Sequence, residues 1–221
     1  MAAVAPTKQR QVRKWKTVTK STFVDGIPYT TEYLQVKNQD MECECPSTCD
    51  CRWDPSDGIS CPCLIDTQEC TNCGACESLL SKGQPDNQQI SRLGLNPKQT
   101  TLRWLNDKMG YSLVMAEDWK AGEALIGWAG HVILQSDVPK DHKVYVVGMG
   151  EWEFALKKDH GEYTKGTIFK GKWAMDCTDI GTDANLINST CRHNNVTTLM
   201  VMVGGLPIPV AFGNKAGKAG L

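Results

Sequence analysis

CECPSTCDCRWDPSDGISCPCLIDTQECTNCGAC, residues 43–76, packs nine of the chain's eleven cysteines into 34 positions, as CxC, CxC, CxC and a closing CxxCxxC. Each CxC pair puts two sulfurs on one short extended segment. The three pairs and the triplet Cys70, Cys73 and Cys76 can therefore converge on metal without a large apolar core. Zinc takes four ligands in a tetrahedron, with thiolate the commonest donor in structural sites. Nine thiolates suit three zinc ions if three sulfurs bridge, or two zinc ions with one or two thiols spare. The ligands expected on this reading are Cys43, Cys45, Cys49, Cys51, Cys61, Cys63, Cys70, Cys73 and Cys76. A disulfide scaffold, usual in cysteine-dense secreted domains, is the competing reading. The odd count, the tight spacing and the lack of an export signal weigh against it. Residues 1–6 are only weakly apolar, and Lys8, Arg10, Arg13, Lys14, Lys16 and Lys20 follow.

Working outward, 221 residues leave room for one ordinary domain beside such a module. The chain is 41% apolar and 22% charged with a net charge of −1, so its global balance predicts no polyanion partner. No apolar run approaches the roughly 18 residues of a membrane span, and a soluble intracellular protein with no membrane partner is expected. Residues 1–20 carry six Lys or Arg and no acid. A weak nucleic-acid contact through this basic arm is the functional reading, and a solvated, mobile tail the simpler one. Residues 17–24 and 27–36, flanking Asp25-Gly26, predict a β-hairpin with Pro28 marking an edge strand. Residues 1–40 are thus a basic arm and hairpin, and 41–78 the zinc module. Residues 79–100 form a connector, polar and broken by Pro85 and Pro97 after a short helix at 77–82. From 101 to 221 short apolar runs at 111–115, 124–128, 132–134, 144–147 and 200–203 predict many small strands and a mostly β domain.

Common catalytic signatures are absent. Gly148-Met149-Gly150 is a lone GxG, and no P-loop, HExxH or GxSxG occurs. His131, His142, His160 and His193 are not spaced as a zinc pair. Cys191 near His193 is a weak nucleophile pair, because spatial partners are not read from adjacency.

Residues 176–194, DCTDIGTDANLINSTCRHN, resemble the core signature of SET-domain protein-lysine methyltransferases, approximately D-A-x3-G-N-x-A-R-F-I-N-H-S-C-x-P-N. Asp176, Gly181, Ala184, Ile187, Asn188, Cys191 and Asn194 fall at matching positions without a gap. Gly110-Tyr111-Ser112-Leu113 followed by Lys120-Ala121-Gly122-Glu123 looks like the family's G-W-G-L and K-x-G-E run. The run from Gly127 to Ile133 resembles its E-Y-x-G-E-V-I strand. A cysteine-rich pre-SET or AWS module before the SET domain is also a family arrangement, so the resemblance covers about residues 41–221.

The resemblance implies a SET-like (β-clip) domain of short strands preceded by the zinc module. It also implies S-adenosylmethionine as cofactor, its methionine end cradled by Met109, Gly110, Tyr111 and Ser112 and its adenosine met by Asn188 and Ser189. Trp128 would border the channel for a lysine of a histone or other protein, in the nucleus on chromatin. Holding amine and methyl in line supplies much of the rate of such a displacement. The departures are Ser112 for a glycine, Asn185 for an arginine, Ser189 for a histidine, His193 for a proline and Trp128 for a channel tyrosine. Residues 215–221 look like the start of the family's last K-x-G-E-E-L-T-x-D-Y stretch and stop before its catalytic tyrosine and post-SET cysteines. The expectation is a SET-like domain incomplete at its C-terminus, with little or no methyl transfer. The alternative is a non-catalytic zinc-containing chromatin or protein-interaction module.

Overall fold

The computed structural model describes residues 16–17, 22–23, 34–36, 43, 45–46, 48–52, 61–65, 68–70, 73–107, 110–142, 145–156, 168–188, 195–203 and 206–220. The cysteine-rich segment carries two short helices, α1 (Pro62–Ile65) and α2 (Gly74–Ser81), and α3 (Gln89–Leu93) follows. What comes next is mostly β. A ribbon pairs β4 (Thr100–Asn106) with β5 (Gly110–Met115). β6 (Ala124–Gly127) and β7 (His131–Leu134) lead into the long antiparallel pair β8 (Val146–Leu156) and β9 (Ile168–Asp176). After β10 (Ile180–Gly181) and a 3-10 turn at Asp183–Leu186, β11 (Val196–Val203) and β12 (Leu206–Gly213) complete the strands.

Three N-terminal segments join this framework: β1 (Lys16–Thr17), β2 (Thr22–Phe23) and β3 (Leu34–Val36). The described strands of the expected hairpin, β2 and β3, do not pair with each other. β2 runs parallel to β7 and β3 antiparallel to β8, so they take opposite edges of a sheet ordered β2-β7-β9-β8-β3, while β1 pairs with β10. The edge backbone of β7, β8 and β10 offers these short strands ready partners. The turn at 25–26 and the basic residues outside Lys16 lie beyond the described residues.

The second sheet, ordered β11-β12-β6, is unusual in holding Pro207 and Pro209 in its central strand. A proline has no N–H to give to a ladder. Pro209 accepts the Trp128 backbone N–H on its β6 side at 2.9 Å, so its missing donor also faces that side. The β12–β6 ladder covers only Val210, Ala211 and Phe212, stopping where the prolines begin, and β11 pairs along the whole of β12.

One apolar cluster gathers Ile126, Trp128, Val132, Met149, Trp173, Met175 and Cys177 between the sheets. The other joins Cys51, Cys61, Cys70, Cys73 and Cys76 to Ile90, Ala124, Val201, Val210 and Phe212. The cysteine-rich segment thus shares one core with the β11-β12-β6 sheet, to which Gln68 also adds a parallel bridge at Met202. Within the expected connector, residues 83–97 hold α3 and the buried side chains of Asp86, Asn87, Gln89 and Ile90. They are polar because they bond to neighbouring backbone, a use that composition does not distinguish from solvation. Among the described residues no helix is long and apolar enough to cross a membrane.

Candidate metal centre and neighbouring cavity

The cysteine sulfurs converge without joining. Cys45 Sγ lies 3.4 Å from Cys61, 3.8 Å from Cys63 and 3.9 Å from Cys70. Cys51 is 3.8 Å from Cys73 and 3.7 Å from Cys61, and Cys63 is 3.7 Å from Cys43. A disulfide would bring two sulfurs to about 2.05 Å. Two thiolates on one tetrahedral zinc, each about 2.3 Å from the ion, stand about 3.8 Å apart. The spacing is that of a coordination polyhedron, and all described cysteines carry free thiols.

Three overlapping quartets have sulfurs within 4.8 Å of one another: Cys43, Cys45, Cys70 and Cys73; Cys45, Cys51, Cys61 and Cys70; and Cys51, Cys70, Cys73 and Cys76. These groups could hold a metal ion such as zinc. Cys70 belongs to all three, and Cys49 and Cys63 stand outside them, Cys63 beside Cys43 and Cys45. Crowding sets the acid–base behaviour. Burial and the neighbouring thiols push Cys45 and Cys51 far above the usual thiol range, and the Cys76 contact together with burial does the same to Cys70. Burial lifts Cys63 to about 11. At Cys61 burial acts upward but is outweighed by the Leu64 backbone N–H and three thiol neighbours, leaving a lowered value. Thiols so placed share protons, and a divalent cation that displaces them relieves the crowding.

A collar that the cysteine spacing did not signal surrounds this cluster. Glu69, buried and with its carboxyl raised by burial, accepts the backbone N–H groups of Ile90 at 2.6 Å and Ser91 at 2.9 Å. It thereby satisfies donors that the first turn of α3 leaves unpaired. Arg92 Nη2 sits 2.8 Å from the buried Asp86 Oδ2, a meeting of charges without hydrogen-bond alignment. Asp86 and Arg92 belong to the polar run after Cys76, and Glu69 directly precedes Cys70.

On the other side of the β11-β12-β6 sheet a cavity of about 420 Å³ opens, and three residues expected at the cofactor and channel positions, Ser112, Trp128 and Asn188, line it together. Leu113, Ile126, Ile187, Val196 and Ala211 supply apolar wall, and Asn195 and Thr198 further polar groups. Gly110 and Tyr111 stay on the ribbon outside it, Tyr111 edge-on to Trp104 with ring centroids 5.1 Å apart. Met109, Ser189, Cys191, His193 and Asn194 lie outside the described residues.

Local hydrogen bonds hold the wall. Thr182 Oγ1 donates to the Gly127 carbonyl at 2.7 Å, tying the 176–188 segment to the residue before Trp128. Asn185, at the position the resemblance gives to arginine, donates through Nδ2 to the Cys177 carbonyl at 3.0 Å. Residues 215–220 lie along 115–119: Trp119 and Gly217 exchange backbone bonds of 3.1 and 3.0 Å, and Lys218 pairs with Asp118 at 2.6 Å. Cys177 is fully buried, and burial pushes its thiol up to about 12, which leaves it inert as a nucleophile.

Asp176, the first residue of the signature-like segment, clamps the chain before β8. Its Oδ2 is 2.6 Å from His142 Nδ1, and its Oδ1 accepts the Thr178 N–H at 2.9 Å. Burial opposes ionisation of Asp176, yet His142 and Thr178 hold it below the usual 3.8. The same contact, with Asp141 and Asp179 nearby, raises His142 above 6.5. The histidine's stabilisation is complete below 6.5 and is lost as pH rises through its raised value. The aspartate's is complete above 3.8 and is lost as pH falls through its lowered value. NMR titration of His142 is expected to give a midpoint above 6.5 that falls when Asp176→Asn removes the charge. A midpoint unmoved by that change would show that the pair is not made in solution.

No protein-family model matches the chain, and no curated protein matches it significantly.

Proposed function

We propose that the chain is a zinc-stabilised SET-like domain that binds S-adenosylmethionine in the cavity lined by Ser112, Trp128 and Asn188, and that it transfers methyl groups poorly or not at all as it stands. The observation that carries this reading is the meeting of those three residues, from three separate stretches of sequence, around one cavity of about 420 Å³. The spacing of the thiols supports the accompanying metal module, read as pre-SET-like and holding two or three zinc ions that share thiolates. Bound S-adenosylmethionine supplies an electrophilic methyl on a sulfonium, and the acceptor on this reading is the amine of a protein lysine, with histone tails in the nucleus the first candidates.

The residues present favour binding over transfer. No charged side chain is among the described residues lining the cavity, so nothing there is placed to take the proton of a lysine ammonium. An indole N–H donates but accepts nothing, so Trp128 cannot accept an amine proton and turn the lone pair toward a methyl as a phenol oxygen can. The exposed Leu102 and Trp104 on β4 favour a second reading, a non-catalytic module that docks on chromatin or another protein.

Titration calorimetry with S-adenosylmethionine is the test. Binding that weakens about tenfold in Asn188→Ala, the loss of one hydrogen-bonding side chain, is expected. Labelled cofactor and a histone panel should give no transfer. Absence of binding by the unmodified chain would overturn the cofactor reading, and transfer that disappears in Asn188→Ala would overturn the inactivity.

A further inference from the structure

Cys70 is the most shared sulfur of the cluster, and it is also the one most closely held by residues outside it. Its backbone N–H donates to the Asn87 carbonyl at 2.9 Å, and its own carbonyl accepts from Gln88 Nε2 at 2.9 Å. Asn87 Nδ2, buried, donates to the Cys70 sulfur at 3.4 Å and to the Gln68 carbonyl at 2.7 Å. One residue therefore meets the sulfur and the backbone N–H of Cys70 and the carbonyl of Gln68.

As thiolates, the seven cysteines of the three quartets carry more negative charge than two or three divalent zinc ions neutralise. The excess sits in a buried cluster, where N–H···S bonds are the available compensation. Two residues along the chain, Gln89 performs a different task. Its Oε1 accepts the N–H of Ala124, the first residue of β6, at 2.8 Å, and its Nε2 donates to the carbonyls of Asp86 at 2.8 Å and Gly122 at 2.9 Å. β6 then carries Ile126 to the cavity wall, with Trp128 just beyond its end.

We propose that residues 86–89 form a latch between the metal cluster and the β domain, in which Asn87 positions the shared thiolate Cys70 and Gln89 holds the start of β6. The latch rests on the reading of the cysteine cluster as a metal centre. Metal bound at Cys70 fixes Asn87, Asn87 fixes the register of the segment, and Gln89 passes that order to Ala124. Asn87 acts through Cys70 and is a positioning residue. Removal of metal should accordingly be felt at β6 before it is felt at β8 and β9, which the latch does not touch.

The experiment uses the full chain loaded with zinc or with ¹¹³Cd²⁺. Asn87→Asp keeps the shape but aims a carboxylate at the thiolate, and it is expected to speed zinc release to a chromophoric chelator at least tenfold. Gln88→Ala, which loses a bond to the Cys70 carbonyl alone, should change that rate less than twofold. Gln89→Ala should leave zinc retention unchanged while raising amide exchange at Ala124 and Leu125, and chelation of the unmodified chain should raise the same amides. In the unmodified ¹¹³Cd²⁺ form, scalar coupling between the Asn87 side-chain N–H and the metal through sulfur is expected, a readout that needs no variant to fold. Metal held equally tightly in Asn87→Asp, or a loaded chain without that coupling, overturns the role of Asn87. Exchange at Ala124 indifferent to metal overturns the relay. A chain that takes up no metal at all overturns the metal centre itself, a separately visible result.

Discussion

Stripping the metal from the chain with a strong chelator is expected to unfold the cysteine-rich segment outright and to destabilise the sheet behind it. Apparent binding free energies of structural zinc are about 10–16 kcal/mol, as large as the whole stability of an ordinary domain at about 5–15 kcal/mol. The segment's own helices add little. α1 spans four residues, α2 eight and α3 five, and none is long enough to persist alone. Because Ala124, Val201, Val210 and Phe212 are packed in the same apolar cluster as the cysteines, loss of the cluster uncovers one face of the β11-β12-β6 sheet. Single substitutions should be graded by sharing. Cys70→Ser, in all three quartets, is expected to release more than one ion, and Cys49→Ser, in none, to keep the metal content nearly intact. Metal analysis after gel filtration, with near-ultraviolet circular dichroism before and after chelation, checks both expectations. Equal losses from the two variants would contradict the grading.

Gly130→Ala should cost about 3 kcal/mol, the upper end of what overpacking a core usually costs. A Cβ at Gly130 would lie 2.5 Å from the Asp176 carbonyl oxygen, 2.9 Å from its carbon and 2.8 Å from the Cys177 sulfur. Two of those three atoms are backbone, which cannot rotate aside, and Cys177 is itself fully buried. The start of β7 and the end of β9 lie side by side at this point without room for a methyl group. Relief would have to come from moving Trp128 or the Asp176–His142 clamp, so a change at the cavity should accompany the loss of stability. Gly148→Ala is the control, because nothing lies within 4 Å of its added carbon. A shift of the urea midpoint in the first variant and none in the second is the expected result, and equal shifts would show that the two segments do not meet as closely as described.

Much of the fold could be read from local pattern. The apolar runs at 111–115, 124–128 and 132–134 became β5, β6 and β7 nearly within their expected bounds, since short β-branched runs between turn residues have few alternatives. The run at 144–147 reaches only the first two residues of β8, which continues to Leu156 because β9 supplies a partner along its length. Within the expected hairpin at 17–36, the described strands β2 and β3 pair with separate sheet edges, since short segments pair with whatever edge is open. In the candidate site, the cysteines stood out by spacing, and Ser112, Trp128 and Asn188, named only by resemblance, come to line one cavity. Asn87 and Gln89 did not, because a polar run looks the same in sequence whether its amides meet water or a buried carbonyl. Glu69 was hidden likewise, one residue before a cysteine and set against the start of α3.

The central claim is that the cysteine cluster is a thiolate metal centre rather than a disulfide framework. Native mass spectrometry of the chain purified without added metal or reductant, compared with its denatured mass, tests it most directly. A native mass increased by two or three zinc ions and a denatured mass equal to that of the fully reduced chain are expected. A zinc-free native mass, with a denatured mass short of two hydrogens for every pair of cysteines, would contradict it.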